Sequence, residues 1–241
     1  MKPLIVRPQP GADATAHRLR AAGHEPILMP LFAIEVLPMQ RRSAAGYDGL
    51  LLTSGNAARA AGEFLTNNPA TPIYAVGSAT ASALHALSLP VAKTGSEGVE
   101  ALVRVAAADG HQRLLWLAGE DYSPIPHIDD VSIDIDIIYR SAMVSTPDNF
   151  VHQITESDVV ILHSSRAARH FADLCDTMNL PRANITLATF SSAIAEAAGE
   201  NWAAMIIADA PNDAALLKAI QAQFTPTHCQ DERGTAIEEP I

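Results

Sequence analysis

Cysteine and positive charge are both scarce in this sequence, and each scarcity excludes a class of protein. Only two cysteines are present, Cys175 and Cys229, so the chain has neither a disulfide framework nor the cysteine spacing of a zinc site. A reducing cytoplasm is therefore the expected compartment. The net charge of −11 argues against nucleic acid as a partner, because that affinity depends on Lys and Arg neutralising phosphates.

Long hydrophobic runs and standard catalytic motifs are missing as well. No stretch approaches the ~18 consecutive apolar residues of a membrane span, so we expect no membrane association. The sequence has no G-x-x-x-x-G-K-[ST] phosphate loop, no G-x-G-x-x-G after a strand and no G-x-S-x-G nucleophile elbow. Its histidines lack metal-ligand spacing, so we predict no metal site.

What the chain does contain is an internal repeat. Residues 48–60 show an acidic residue, a buried-type strand, a hydroxyl pair and an Ala/Arg helix, and residues 158–170 show the same order. A second strand–turn–helix follows in each half, beginning at Ile73 and Thr186. The period far exceeds the ~20–50 residues of a solenoid unit, and therefore indicates two copies of one α/β domain. We expect a ligand in the cleft between two such lobes.

Strands that alternate with helices of about a dozen residues predict parallel sheets with right-handed crossovers. Extended apolar runs at residues 27–36 and 133–144 precede the two repeats at matching places, and Pro30 suggests a sheet edge or a break in the first run. We infer a discontinuous arrangement. Lobe 1 comprises residues 1–36 plus 144–224, lobe 2 comprises residues 37–143, and residues 225–241 form a polar tail.

The junctions between strands and helices are the candidate binding positions, because ligands of open parallel sheets bind beyond the carboxyl ends of the strands. Hydroxyl residues and glycines dominate these junctions. Any one of them is explained as a helix N-cap. As a set they would lie at one edge of each sheet, where open backbone N–H groups can bind carboxylate or phosphate. The junctions are residues 7–8, 53–56, 77–80, 119–121, 164–166, 191–192 and 211–213.

Other polar residues admit both a functional and a structural interpretation. His163 ends a strand beside Ser164 and can act as a base or an anion donor, although a polar strand end is the commoner role. Asp134 and Asp136 alternate with isoleucines, which predicts a solvated strand face rather than a cation site. For Tyr139, its position alone favours a structural role as an aromatic side chain packed at a hinge. A phenol is nevertheless protonated at neutral pH and can donate a proton to a leaving hydroxide.

Taken in order, these segments resemble the uroporphyrinogen-III synthase family over about residues 1–224. Each motif alone is weak, whereas the ordered set is fairly specific. The main carriers are Val6-Arg-Pro-Gln-Pro-Gly, Leu52-Thr-Ser-Gly-Asn-Ala-Ala-Arg, Ala75-Val-Gly-Ser-Ala-Thr-Ala, Leu117-Ala-Gly-Glu-Asp, Ile138-Tyr-Arg and Leu162-His-Ser-Ser-Arg-Ala-Ala. The resemblance implies two similar three-layer, flavodoxin-like lobes joined by a two-strand connector.

The resemblance also implies an activity. Family members are expected to be cofactor-free monomers that convert hydroxymethylbilane, a linear tetrapyrrole with eight carboxylates, into uroporphyrinogen III with loss of water and inversion of ring D. Tyr139 matches the family's functional tyrosine, proposed to assist departure of the hydroxyl. The residues that match its substrate-facing positions are Arg7, Ser54, Gly77, Ser78, Thr80, Ser164, Ser165, Ser191 and Ser192.

The sequence departs from the family pattern in its second half and in its supply of cations. Phe190 stands where a glycine usually precedes the hydroxyls, and since Phe does not adopt a positive φ cheaply, this turn is expected to be rebuilt or less open. The cations available for eight carboxylates are few: Arg7, Arg140 and Arg166. The alternative is therefore a non-catalytic two-lobed protein that binds or senses a small molecule. A nucleotide- or sugar-transferring enzyme is disfavoured because phosphate loops are missing.

Overall fold

The computed structural model describes residues 1–95, 98–124 and 128–224, so the tail predicted at residues 225–241 lies outside the described residues. The chain divides into two compact units. Unit 1 comprises Met1–Met29 and the described part of Pro147–Ile241, and unit 2 comprises Pro30–Thr146. Compactness does not by itself define independently folding domains. The lobe limits expected at residues 36 and 144 therefore stay a prediction.

The helices and strands alternate along both units. In chain order they are β1 (Pro3–Ile5), α1 (Gly11–Ala21), β2 (Ile27–Leu28), β3 (Phe32–Val36), β4 (Gly49–Leu52), α2 (Gly55–Ala60), α3 (Gly62–Asn67), β5 (Ile73–Val76), α4 (Ser78–Ala86), β6 (Lys93–Gly95), α5 (Gly98–Ala108), β7 (Arg113–Gly119), β8 (Ser132–Met143), α6 (Phe150–Glu156), β9 (Val159–Leu162), α7 (Ser165–Thr177), β10 (Thr186–Thr189), α8 (Ser192–Ala198), β11 (Ala204–Ile207) and α9 (Asp213–Phe224). The apolar run at residues 27–36 is broken around Pro30 into β2 and β3, which belong to different units.

Unit 1 contains a sheet with the strand order β11-β10-β9-β1-β2, in which every described pair is parallel. Its strands carry apolar side chains that pack on two helices. Ile5 of β1 and Ile161 of β9 share a buried cluster with Leu19 of α1 and Ile220 of α9. All the carboxyl ends of these parallel strands therefore meet one edge of the sheet, where α1, α7, α8 and α9 begin.

Unit 2 contains a sheet with the order β3-β8-β7-β4-β5-β6. Strand β3 pairs with β8 in antiparallel orientation, and the other described pairs are parallel. All four residues of β4 are buried, as is typical of a central parallel strand covered on both faces. Leu50 and Leu52 contact the cluster that includes α2 and α4, whereas Leu51 and Trp116 contact the cluster that includes α5.

The strands of both units follow the same spatial order. Strands β2-β1-β9-β10-β11 of unit 1 have the flavodoxin-like order 2-1-3-4-5. Strands β8-β7-β4-β5-β6 of unit 2 have the same arrangement when β7 and β8 are counted first, although they come last along the chain in this unit. The repeated sequence segments occupy equivalent places, because β4 and α2 in unit 2 correspond to β9 and α7 in unit 1. The predicted fold class, α/β with two similar parallel-strand sheets, is confirmed.

The solvated face predicted for β8 is wrong. Asp136 is 1% exposed, and its carboxylate accepts hydrogen bonds from the backbone N–H groups of Gln40 at 3.1 Å and Arg41 at 3.0 Å. Asp134 accepts a hydrogen bond of 2.6 Å from the Tyr47 hydroxyl, which helps to hold the pKa of that carboxyl below its ordinary value. The segment between β3 and β4 covers this part of the face. Alternation along a strand distinguishes its two faces, but it does not tell which segment of the chain covers them.

Candidate functional site

In unit 2 the predicted junctions lie side by side at the carboxyl edge of the sheet. Ala75, Leu52 and Leu117 are paired across β5, β4 and β7, and the residues two positions further on are Gly77, Ser54 and Gly119. Tyr139 of β8 is paired with Gly119. The strand order of unit 2 reverses between β7 and β4, and open α/β sheets bind their ligands at such a switch point. The structure therefore brings Tyr139 to the place where the topology favours a ligand.

A β-bulge determines the direction of the Tyr139 side chain. Ala118 is paired with Ile137, but the next residue of β7, Gly119, is paired with Tyr139, so Ile138 is an extra residue in β8. As a result, Ile138 and Tyr139 both contact the cluster that includes α2 and α4. In regular alternation Tyr139 would lie on the opposite face. Bulges commonly redirect a side chain in this way next to functional sites.

Arg59 of α2 is a cation close to this tyrosine, and the sequence prediction did not include it. Its guanidinium donates a hydrogen bond of 2.5 Å to the Asn56 Oδ1 atom. Burial lowers the pKa of Arg59, whereas its electrostatic attraction to Tyr139 acts in the opposite direction. The residue ends the quoted motif that begins at Leu52, and Arg169 matches it in the second repeat. The repeat was thus the available signal, but it does not specify the direction of the side chain.

The predicted hydroxyl residues take up positions at helix starts in both units. Ser54 caps α2 by accepting from the Asn56 N–H at 3.0 Å, and Ser164 caps α7 by accepting from the Ala167 N–H at 3.2 Å. Side-chain capping accounts for these two residues without a ligand. Ser191 precedes α8 without a side-chain capping bond, and this hydroxyl is therefore not used for capping.

The remaining predicted positions differ in how they are engaged. Gly77 precedes α4 with φ of 80°, a left-handed conformation that favours glycine, and Ser78 is the first residue of that helix. Thr80 is buried, at 3% exposure. Ser192 begins α8, and the Ser165 hydroxyl donates to the backbone carbonyl of Ala193 at 3.3 Å. Their roles toward a ligand stay predictions.

In unit 1 the predicted anion-binding arginine lies beside a carboxylate. Asp213 accepts hydrogen bonds of 2.6 Å from Arg18 and 3.1 Å from Thr15, and its Oδ1 atom lies 3.8 Å from the Arg7 guanidinium. Burial alone would raise the pKa of Asp213, but His163, Arg7 and Arg18 together hold it below its ordinary value. The charge of Arg7 is therefore partly compensated. The junction at residues 211–213 was recognised from the sequence, but its contact with the N-terminal segment was not.

The other two predicted cations have different surroundings. Arg140 donates a hydrogen bond of 2.7 Å to Glu35 across the antiparallel β3–β8 pair. Arg166 is the second residue of α7. Arg7, Arg140 and Arg166 thus all have contacts within the protein already. A polyanionic ligand would have to share these cations with them.

His163 and Phe190 form an aromatic contact at the carboxyl edge of unit 1. Their rings meet edge to face with centroids 4.6 Å apart, and the His163 side chain is only 6% exposed. Phe190 does not adopt a positive φ. The turn between β10 and α8 is therefore rebuilt in an ordinary backbone conformation. The His163 Nε2 atom lies 3.5 Å from the Asp213 carboxylate, which is long for a hydrogen bond. The role of His163 as a base or an anion donor stays a prediction.

Replacing His163 with glutamine is expected to flatten the dependence of stability on acidic pH. Burial lowers the pKa of His163 from 6.5, although Asp213 opposes the shift. As the pH falls below about 6.5, the unfolded chain binds this proton before the folded chain does, so the free energy of unfolding decreases. That loss approaches about 1.4 kcal/mol for each pH unit in which only the unfolded state is protonated.

Urea denaturation between pH 7.5 and about 5 measures the His163 effect. The wild type should lose more stability than His163→Gln over this range. His17→Gln, at an exposed position of α1, should behave as the wild type does. Parallel curves for the wild type and His163→Gln would contradict the prediction.

The fold and these junctions define a class of protein: paired flavodoxin-like α/β units with hydroxyl and glycine residues at their strand ends. Within that class, the model of the family "Uroporphyrinogen-III synthase HemD" matches residues 13–218. The chain belongs to this family. None of the curated proteins matches it.

One solved structure supports the fold. The chain is similar to a mutant uroporphyrinogen III synthase from the extremely thermophilic bacterium Thermus thermophilus, with a TM-score of 0.52 at 15% identity, over 92% of this chain and 98% of that chain. Two further structures of the Thermus thermophilus enzyme are similar, with TM-scores of 0.41 and 0.40 at 15% and 16% identity, each over 93% of this chain and 100% of theirs.

Two further properties concern the described residues alone. None of their helices combines the length and apolar character that crossing a membrane requires. In residues 1–95, 98–124 and 128–224, no three His, Cys, Asp or Glu side chains gather closely enough to hold a metal ion.

Proposed function

We propose that this protein is a uroporphyrinogen-III synthase that converts hydroxymethylbilane into uroporphyrinogen III in tetrapyrrole biosynthesis. The family match over residues 13–218 carries this proposal. The position of Tyr139 at the switch point of unit 2 supports it, because the reaction needs a proton donor where the substrate binds. The protein is further proposed to act as a cytoplasmic monomer without a cofactor.

Tyr139 is proposed as the proton donor for the leaving hydroxyl. The bond between the terminal methylene carbon and its oxygen breaks, the phenol gives its proton to the departing hydroxide, and water leaves. The pyrrole carries the resulting azafulvenium cation. The positive charge of Arg59 is suited to stabilise the phenolate that forms in this step.

The rest of the reaction depends on positioning. The substituted carbon of ring D attacks the cationic methylene carbon and forms a spiro intermediate. The original bond between that ring D carbon and the bridge to ring C then breaks, which leaves the cation on ring C. The free α carbon of ring D attacks this cation and loses one proton, which restores the phenol. Bringing the two ends of a flexible chain together lowers the barrier, because it removes the entropic cost of their encounter. The unrearranged ring forms when this positioning fails.

The carboxylates of the substrate are proposed to bind at the helix starts, where N–H groups and the helix dipole favour anions. Helices α4 and α7 offer such N-termini beside serine hydroxyls. Arg7 belongs to the proposed set despite its contact with Asp213, and Thr80 belongs to it despite its burial. The set is Arg7, Ser54, Gly77, Ser78, Thr80, Ser164, Ser165, Ser191 and Ser192.

One assay tests the proposed activity. Freshly prepared hydroxymethylbilane is incubated with the protein, the products are oxidised to porphyrins, and the type I and type III isomers are separated. We expect the type III isomer, formed faster than the spontaneous type I product. If type I forms alone at the uncatalysed rate, the enzyme proposal fails. Tetrapyrrole binding without turnover would then favour the alternative of a non-catalytic binding or sensor protein.

A further inference from the structure

We propose that Gly119 is a positioning residue that sets the place of the Tyr139 hydroxyl. The catalytic part of this proposal rests on the synthase function proposed above. Gly119 ends β7 and is paired with Tyr139 through the bulge in β8. A side chain at position 119 would occupy the space that the phenol ring now fills.

The contact between the two residues is very close. A Cβ atom added to Gly119 would lie 2.5 Å from the Tyr139 Cζ atom and 2.7 Å from its hydroxyl oxygen. Atoms that are not bonded to each other do not approach this closely. The nearest atoms are those at the hydroxyl end of the ring, and the proposed proton donor is therefore the group that alanine would displace.

The backbone at position 119 does not itself require glycine. Gly77 has a positive φ, and a Cβ atom there would meet nothing within 4 Å. Gly119 shows the opposite pattern. Its φ is not in the left-handed region, and the space that a Cβ atom would need is occupied by the Tyr139 ring. The need for glycine thus arises from the tyrosine ring, and it should disappear when the ring is removed.

The surroundings hold the tyrosine backbone in place, so the ring rather than the strand has to move. The Tyr139 carbonyl accepts a hydrogen bond of 2.9 Å from the Glu120 N–H, and the preceding residue, Ile138, is fully buried. A methyl group at position 119 would push the ring by about 1 Å or more. Displacement of a catalytic group by this amount can lower a rate about 10²-fold.

A double-mutant cycle on turnover tests the positioning role. Gly119→Ala should lower kcat about 10²-fold in the wild type and change KM by less than about 3-fold. In the Tyr139→Phe background the same substitution should lower kcat by less than about 3-fold, because no hydroxyl remains to be displaced. Equal losses in both backgrounds would overturn the proposal, and so would full activity of Gly119→Ala in an active wild-type enzyme.

Gly62→Ala is the matched control. Gly62 begins α3 without a positive φ, and an added Cβ would make only an ordinary contact of 3.6 Å with Leu87. This variant should retain wild-type kcat.

Stability measurements test the contact independently of the reaction. The urea midpoint should fall on Gly119→Ala in the wild type and change little in the Tyr139→Ala background. If Gly119→Ala alone does not fold, recovery of folding in the Tyr139→Ala background supports the contact. Failure to recover shows that the backbone itself needs glycine and overturns the proposal. If the wild type has no synthase activity, the proposed function fails, while this coupling still decides whether Gly119 places the ring.

Discussion

Replacing Tyr139 with phenylalanine is expected to lower kcat by roughly 10²- to 10⁴-fold, the range typical of a lost general acid. The phenyl ring keeps the contact with Gly119 and with the cluster beneath α2 and α4, so the fold should remain intact. The hydroxyl is the single group removed. KM should change little, because the hydroxyl assists departure of the leaving group and does not contribute to binding of the substrate in the ground state.

The Tyr139 prediction is measured as the initial rate of type III isomer formation, with circular dichroism to verify the fold. Tyr74→Phe is the matched control on the same sheet. Its hydroxyl donates to Asp109 at 2.8 Å, so its loss should affect stability modestly and leave turnover unchanged. Undiminished turnover in Tyr139→Phe would reduce Tyr139 to the hinge packing role that its position alone suggests.

Replacing Asp136 with alanine is expected to lower the free energy of unfolding by about 2–4 kcal/mol. The substitution removes the acceptor of the Gln40 and Arg41 N–H groups and leaves these donors without the carboxylate in a covered part of the sheet. Hydrogen bonds to a charged group contribute about 1.5–3 kcal/mol each. Relief from the cost of burying the charge offsets part of this loss.

Urea denaturation at neutral pH measures the Asp136 effect. Asp173→Ala, on the exposed side of α7, is the control and should change stability by less than about 0.5 kcal/mol. A similarly small change for Asp136→Ala would contradict the prediction. It would support the solvated strand face that alternation alone predicts.

The repeat and the strand periodicity were sufficient to predict the fold. The segments beginning at Asp48 and Asp158 became equivalent strands and helices because a buried strand, a capping hydroxyl and an Ala-rich helix are all encoded locally. Burial of Asp136 was not predictable in the same way. It depends on backbone donors at residues 40 and 41, which are far from it in the sequence.

Details of the candidate site were harder to predict, since they depend on single residues and on long-range pairing. Regular alternation places Tyr139 on the wrong face, because the extra residue at Ile138 is visible only in the register with β7. The partial neutralisation of Arg7 depends on Asp213, near the other end of the described chain. Phe190 was recognised as a departure, but the sequence did not identify His163 as its partner.

The strand order of the two units has a consequence for the origin of the chain. If β3 is set aside, strands β1, β2, β4, β5 and β6 follow one another in sequence, and so do β7, β8, β9, β10 and β11. Each set has the complement of one whole flavodoxin-like sheet. Yet β1 pairs with β9, and β4 pairs with β7. The chain thus corresponds to a head-to-tail gene doubling in which the two products have exchanged their first two strands. Each sheet of the folded chain is therefore completed by strands from both halves of the sequence.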